Sequence, residues 1–300
     1  MSALISSNII PETTIVPLSA GHTLEVDIYT ALADTINLGA QKIAVLCHPW
    51  SWLGGCKDDP VLESIAVTLN VKLNMHVLVP NARSVGNSTG RASFSGKSEA
   101  ADLEELTQWY INKGYSHGSL LASCHPILPD PIQTYHILLS YPLSPLPLLT
   151  FFNASTYREH LSRLVSNPQA RVLILFGDKD QFTGISNYQS WANNLEQAQG
   201  SSTSEAIGSG AIEVKMVTGA DHFWRGRFNR QMTEAIITWL EKYDPVHRSS
   251  GRLATTLAND DTANLFCSKR LSPGQLELSR PAFAPCSFGS NLTFACSKPN

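Results

Sequence analysis

The chain has little net charge and no long apolar run. Its 22 Lys and Arg residues against 25 Asp and Glu give a formal charge of −3. Such a balance lacks the basic excess by which proteins attract nucleic acids or anionic membranes. No stretch approaches the roughly 18 consecutive apolar residues of a membrane span, and no basic residue precedes the short apolar run near the N-terminus, as a secretory signal requires. We expect a soluble, cytoplasmic protein with neither partner.

Cysteine is sparse and scattered. The chain of 300 residues has six, with no Cys-x-x-Cys pair and no Cys/His cluster at the spacing of a zinc site. They are Cys47, Cys56, Cys124, Cys267, Cys286 and Cys296. This distribution is typical of reduced thiols in a cytosolic protein and predicts no metal site.

Buried strands alternate with amphipathic helices over residues 1–243. Continuous apolar runs predict buried strands at 42–49, 75–83, 135–143, 171–180 and 211–223, after two early strands at 13–18 and 23–32. Helical periodicity predicts helices at 58–72, 97–110, 156–166, 185–198 and 229–243. This order is typical of a doubly wound, mostly parallel sheet covered on both faces. Residues 244–300 show no sustained period and are predicted to form a disordered tail outside this single domain.

Three polar residues at predicted strand ends have the types and order of a nucleophilic triad. Ser116 is the centre of a Gly-x-Ser-x-Gly pattern, Asp180 follows the strand at 171–180, and His222 follows the last strand. A serine hydroxyl needs a base to take its proton, and the base needs a carboxylate to orient it. Asp178 competes with Asp180 for that last role. A helix cap for Ser116, turn chemistry for Asp180 and a loop position for His222 are the structural alternatives.

The same chemistry requires two backbone donors for the oxyanion. His117 supplies one N–H at the start of the helix predicted after the serine. The second donor is expected in the loop after the strand at 42–49, where Pro49 has no N–H and Trp50 is the first residue able to donate.

Several motifs together resemble the α/β-hydrolase superfamily, closest to its small, lid-poor serine hydrolases of the esterase or peptidase type. They are "HPWSWLGG", "NARSVGNSTGRASFSG", "GYSHGS", "SYPL", "GDKDQF" and "ADHFWRG", and the resemblance spans residues 13 to about 243. It implies a triad of Ser116, Asp180 and His222 that hydrolyses an ester, thioester or amide of a small molecule without a cofactor. The other hypothesis is a catalytically impaired binding protein of the same fold.

Further side chains near strand ends admit two interpretations each. His48 and Arg83 are expected to hold loops together, with catalysis or substrate contact as the minority interpretation. The aromatic residues of the same regions either line an apolar acyl pocket or belong to the core. They are Trp50, Trp52, Phe182, Phe223 and Trp224.

Too few residues separate the predicted helix at 97–110 from Ser116 to form the strand that a hydrolase sheet needs. The helix predicted from Lys97 to Tyr110 leaves only "INK" before Gly114, where a hydrolase sheet needs a buried strand of about five residues. Three interpretations compete. In the first, the helix is shorter and "LTQWYIN" forms an irregular strand. In the second, a segment has been lost from the protein. In the third, the sequence derives from a wrong gene model that skips an exon here and reads through non-coding sequence in the tail. The first keeps the strand, and the other two predict a sheet without it.

Overall fold

The computed structural model describes most of the chain up to Tyr243. No helix in that part has both the length and the apolar character of a membrane span. The described residues are 9–31, 42–48, 51, 54–93, 96–111, 127–128, 134–144, 154–200 and 211–243. Their strands are β1 Glu12–Pro17, β2 Thr23–Tyr29, β3 Ile43–Val45, β4 His76–Pro80, β5 Tyr135–Leu139, β6 Arg171–Gly177 and β7 Ala211–Val217. Their helices are α1 Pro60–Leu73, α2 Lys97–Ile111, α3 Ala154–Ser166, α4 Ile185–Gly200 and α5 Arg227–Tyr243. The predicted α/β class is confirmed.

The described strands form two sheets. A four-stranded sheet has the order β1-β2-β4-β3, and a three-stranded sheet has the order β5-β6-β7. β1 and β2 pair antiparallel, as do β2 and β4, whereas β3–β4, β5–β6 and β6–β7 are parallel. The three-stranded sheet is therefore wholly parallel, and antiparallel pairing is confined to the N-terminal strands.

The two sheets share their hydrophobic cores. β4 and β5 are buried at every position, as the continuous apolar runs predict for strands covered on both faces. One core cluster includes Leu62 of α1, Val77 of β4 and Ile137 of β5. The second, on different side chains of the same strands, includes Leu78 and Leu138. Because alternate residues of both sheets contribute to both clusters, the break in strand pairing is not a break in the core.

Helix α1, predicted at 58–72, runs from Pro60 to Leu73 and is capped at both ends. The Asp59 carboxylate accepts a hydrogen bond from Val61 N at 2.8 Å, and Pro60 occupies the first helical position, where its missing N–H costs nothing. Asn74 ends the helix in the left-handed conformation, with φ of 49°.

Helix α2 decides one of the interpretations of the shortened approach. It runs to Ile111, with Leu103, Leu106 and Tyr110 buried, so the interpretation of "LTQWYIN" as an irregular strand is wrong. The apolar side chains of that stretch recur at helical spacing and pack into the core, which outweighs their strand propensity. Two residues then separate α2 from Gly114. They span about 7 Å at most, less than half of a five-residue strand.

Candidate active site

Asp180 and His222 meet at one edge of the parallel sheet. β6 ends at Gly177 and β7 at Val217, and these two residues are register partners. The loops that follow therefore leave the sheet side by side. His222 Nδ1 lies 2.7 Å from Asp180 Oδ2, and the two side chains are 3% and 0% exposed. The sequence expectation that these side chains converge agrees with this contact.

The Asp180 carboxylate is held by several donors. Oδ1 accepts hydrogen bonds from Phe182 N at 2.8 Å and Thr183 N at 3.0 Å, and the Tyr188 hydroxyl lies 3.4 Å from Oδ2. Burial acts to raise the pKa of Asp180, but the hydrogen bond and charge of His222 and the two backbone donors outweigh it and leave that pKa below its ordinary value.

The ionised carboxylate fixes the tautomer of the imidazole. A carboxylate is only an acceptor, so Nδ1 of His222 carries a hydrogen, and in the neutral form of an imidazole held in this way Nε2 is the acceptor. No described residue donates a hydrogen bond to Nε2. The pair therefore has the arrangement of a general base with its orienting acid.

Backbone contacts join the acid loop to the histidine loop. Lys179 N donates to Ala220 O at 3.0 Å, and Gly219 N donates to Asp178 Oδ1 at 2.6 Å. A Cβ at Gly177 would lie 2.1 Å from Ala220 O, so only glycine permits this approach. Asp178, the competing acid, thus binds the backbone of the neighbouring loop, and the structure places Asp180 on the imidazole.

Comparisons with known proteins find the fold and nothing more specific. No family model and no curated protein matches the chain. Solved structures do. A serine hydrolase homologue from Coxiella burnetii is 20% identical with a TM-score of 0.53, covering 78% of this chain and 99% of its own. A lid-less serine hydrolase from Xanthomonas campestris is 17% identical, covering 79% and 96%, with a TM-score of 0.51. A Pyrococcus furiosus esterase is 12% identical, covering 77% and 92%, with a TM-score of 0.56. This chain has the α/β-hydrolase fold.

Where an α/β-hydrolase fold carries a triad, its residues follow the chain order Ser, Asp, His, and Asp180 precedes His222 along this chain. Ser116, His117 and Trp50, which the sequence assigns to the nucleophile and the oxyanion donors, lie outside the described residues. So do Trp52 and the tail after Tyr243. The described part of the candidate site is the contact between Asp180 and His222.

The loops of the hydrolase fold on the N-terminal side of the serine are held by polar contacts. His48 Nε2 accepts a hydrogen bond from Ala82 N at 2.9 Å. Arg83 binds both carboxylate oxygens of Asp102, at 2.5 and 2.6 Å, and so fastens the loop after β4 to α2. Both observations agree with the interpretation of His48 and Arg83 as loop-holding residues.

Glu25 is a buried carboxylate in this region that no sequence motif marks. Glu25 accepts hydrogen bonds from Asn81 Nδ2 at 2.8 Å, Asn87 N at 2.9 Å and Asn87 Nδ2 at 2.8 Å. Gly86 turns over it with φ of +55°, and a Cβ there would lie 2.4 Å from the carboxylate. Glu25 sits in an alternating strand, where nothing local distinguishes an inward acid from a solvated one. The loop sequence "NARSVGNSTG" carries the glycine and the two asparagines that surround the carboxylate, and it was the one sequence feature that could have indicated the site.

Two aromatic candidates separate by environment. Trp224 is fully buried, and its indole N–H donates to Ser140 Oγ at 3.0 Å, which makes it a core residue. Phe182 is 43% exposed and its ring centroid lies 4.6 Å from that of His222. Tyr188, which no motif marked, is buried and stacks on Phe176 with 4.2 Å between centroids. Only the fold brings its hydroxyl from α4 to Asp180.

Proposed function

We propose that this protein is a serine hydrolase that cleaves an ester, thioester or amide of a small molecule through an acyl-enzyme. Ser116 is the nucleophile, His222 the general base and then acid, and Asp180 the orienting carboxylate. The observation that carries the proposal is the 2.7 Å contact between His222 Nδ1 and the buried Asp180 carboxylate at the ends of adjacent parallel strands. The α/β-hydrolase fold supports it, because that fold uses this pair in this chain order.

The proposed reaction has two halves. Ser116 Oγ attacks the carbonyl carbon while its proton passes to His222 Nε2, and a tetrahedral oxyanion forms. The bond from that carbon to the leaving oxygen, sulfur or nitrogen then breaks, and Nε2 returns the proton to the leaving atom. Water repeats the sequence on the acyl-enzyme, releasing the acid and restoring the serine. Asp180 stabilises the imidazolium that exists between the two proton transfers.

The oxyanion needs donors that are already in place when it forms. We assign this role to the backbone N–H groups of Trp50 and His117, as the sequence suggests. The contact of His48 Nε2 with Ala82 N supports the assignment of Trp50, because it anchors the start of the loop that carries that residue.

A second candidate function rests on the end of α2. With the helix reaching Ile111, two residues remain before Gly114, where a hydrolase sheet needs a buried strand of about five residues. This favours a hydrolase-like binding protein in which Ser116 stands away from His222. A misplacement of about 1 Å can already cost roughly 100-fold in rate.

Labelling with a fluorophosphonate probe separates the two functions. The probe reacts only with a serine whose hydroxyl is activated by a base. The parent protein is compared with Ser116→Ala and with Ser119→Ala, a control that removes a hydroxyl three residues away. Far-UV circular dichroism and thermal unfolding establish that each variant is folded.

The enzyme predicts labelling of the parent and of Ser119→Ala and none of Ser116→Ala. A folded parent that stays unlabelled at high probe concentration supports the binding protein. Labelling that survives in Ser116→Ala contradicts the assignment of the nucleophile.

A further inference from the structure

Phe182 is an exposed aromatic ring beside a buried acid–base pair. It is 43% exposed, whereas His222 is 2% exposed and the Asp180 side chain is fully buried. Single exposed apolar residues are common on protein surfaces, but this ring borders the candidate active site, and ligand sites are lined mostly by apolar and aromatic side chains. The ring does not pack into either core cluster of the described residues.

The position of Phe182 is set by the same carboxylate that orients the base. Its backbone N–H donates to Asp180 Oδ1 at 2.8 Å. Its ring meets the His222 imidazole at 4.6 Å between centroids and an angle of 68°, an edge-to-face contact. Phe223 completes the group, with centroids 6.1 Å from Phe182 and 5.7 Å from His222. We call Phe182 and Phe223 the aromatic rim.

The proton transfer by His222 determines which part of a substrate lies next to the aromatic rim. When the tetrahedral intermediate collapses, His222 Nε2 gives its proton to the leaving atom, which must lie within about 2.6–3.2 Å of it. The group attached to the leaving atom therefore passes beside the imidazole. The aromatic rim is the described apolar surface in contact with that imidazole. The acyl group, on the other side of the carbonyl carbon, points away from the leaving atom.

We propose that the aromatic rim is the leaving-group subsite and that it selects substrates with a flat, apolar leaving group, such as an aryl ester. The inference rests on the proposed hydrolase function and deepens it by naming a substrate class. Offset or edge-to-face contact with Phe182 favours an aryl group over a small alkyl group. The guanidinium of Arg225 lies over the Phe223 ring, 4.4 Å from its centroid.

Steady-state kinetics on three esters test the subsite. Phenyl acetate carries the aryl group on the leaving side, ethyl benzoate carries it on the acyl side, and ethyl acetate has neither. Phe182→Ala and Phe182→Leu are compared with Ile15→Ala, which removes a similarly exposed apolar side chain, 49% exposed, from the far edge strand. If one Phe182 variant does not fold, the other gives the same comparison.

We expect both Phe182 variants to raise KM for phenyl acetate about 3- to 10-fold, the equivalent of one aromatic contact. The KM values of the two ethyl esters should stay close to the parent values, and Ile15→Ala should change none of the three. An equal rise for ethyl benzoate and phenyl acetate, or no rise for either, overturns the assignment to the leaving-group side.

Binding of free phenol separates this inference from the proposed function. Phenol is the leaving group itself, and in the Ser116→Ala background its affinity does not depend on turnover. Ligand-observed NMR titration should show a Kd about 3- to 10-fold weaker when Phe182→Ala is added, and an unchanged Kd when Ile15→Ala is added. Equal Kd values in all three backgrounds overturn the subsite even if the parent protein is an active hydrolase. Loss on Phe182→Ala supports it even if no ester is turned over.

Discussion

The loops after β6 and β7 follow two paired strands, whereas the sequence leaves few residues between α2 and Ser116. The first region joins two register-paired parallel strands, and its loops are held by backbone hydrogen bonds, a glycine close approach and the Asp180–His222 contact. The second region must present Ser116 from a helix that ends at Ile111, with two residues before Gly114. The proposed acid and base need only two neighbouring strands, whereas a serine nucleophile of a hydrolase sheet needs a further strand before it.

Two Asp-to-Asn substitutions in the loop after β6 are expected to differ most in their effect. Asp180→Asn should lower the fluorophosphonate labelling rate by about 10⁴-fold, because an amide facing Nδ1 stabilises the wrong tautomer of His222. Asp178→Asn is the matched control. Its carboxylate accepts a hydrogen bond from Gly219 N, which an amide oxygen can also accept, so labelling should change little. Similar losses in both variants would mean that Asp180 is not the orienting acid.

Restoring the strand is the corresponding test of the serine region. An apolar, β-branched insert of about five residues between Lys113 and Gly114, preceded by a short turn, supplies a strand that can pair with β3 and β5. We expect the labelling rate of Ser116 to rise by roughly 100-fold, the loss associated with a misplacement of about 1 Å.

A Gly/Ser insert of the same length is the control, since it adds reach without strand propensity. If both inserts raise the rate equally, chain length rather than a missing strand limits the serine. If neither does, the two regions do not differ in the way described.

The close approach at the end of β6 predicts a loss of stability. A Cβ in Gly177→Ala would lie 2.1 Å from the backbone oxygen of Ala220, and a backbone atom cannot turn aside as a side chain can. We expect the free energy of unfolding to fall by about 1–3 kcal/mol, as for other overpacked sites. Gly184→Ala, where an added Cβ meets no atom within 4 Å, should stay close to the parent in urea unfolding. Equal stabilities of the two variants would contradict the close approach.

Two buried acids, Asp180 in the loop after β6 and Asp59 at the start of α1, predict pH effects of opposite sign. The folded pKa of Asp180 is depressed, so its contribution to stability is present above the unfolded value, about 3.9, and is lost as pH falls through the folded pKa. Burial raises the pKa of Asp59, so its ionised form destabilises the fold as pH rises above the unfolded value.

Urea unfolding between pH 3 and pH 7 measures both contributions. Asp180→Asn should remove part of the stability lost in acid. Asp59→Asn keeps a capping side chain without the buried charge, so it should gain slightly at neutral pH relative to acid. Changes of the same sign in both variants would contradict these pKa directions.

The sequence predicts the strands, the helices and the contact between Asp180 and His222 better than the other contacts around them. The runs around Ile137, Val172 and Val214 predict parallel strands, and the ends of such strands lie at one edge, so the convergence of Asp180 and His222 follows from pattern alone. The choice between Asp178 and Asp180 does not follow, because it depends on which carboxylate the Gly219 backbone reaches. The stretch before Ile111 was ambiguous for a different reason, since its aromatic residues suit a strand and only their burial at helical spacing decides.

Mass spectrometry of the protein after fluorophosphonate treatment tests the central claim most directly. Cleavage at Lys113 and Arg158 releases one peptide that contains Ser116. We expect a single adduct, which maps to Ser116 and is absent when His222 is replaced by Ala. An adduct on another residue, or one on Ser116 that forms equally fast without His222, would contradict it.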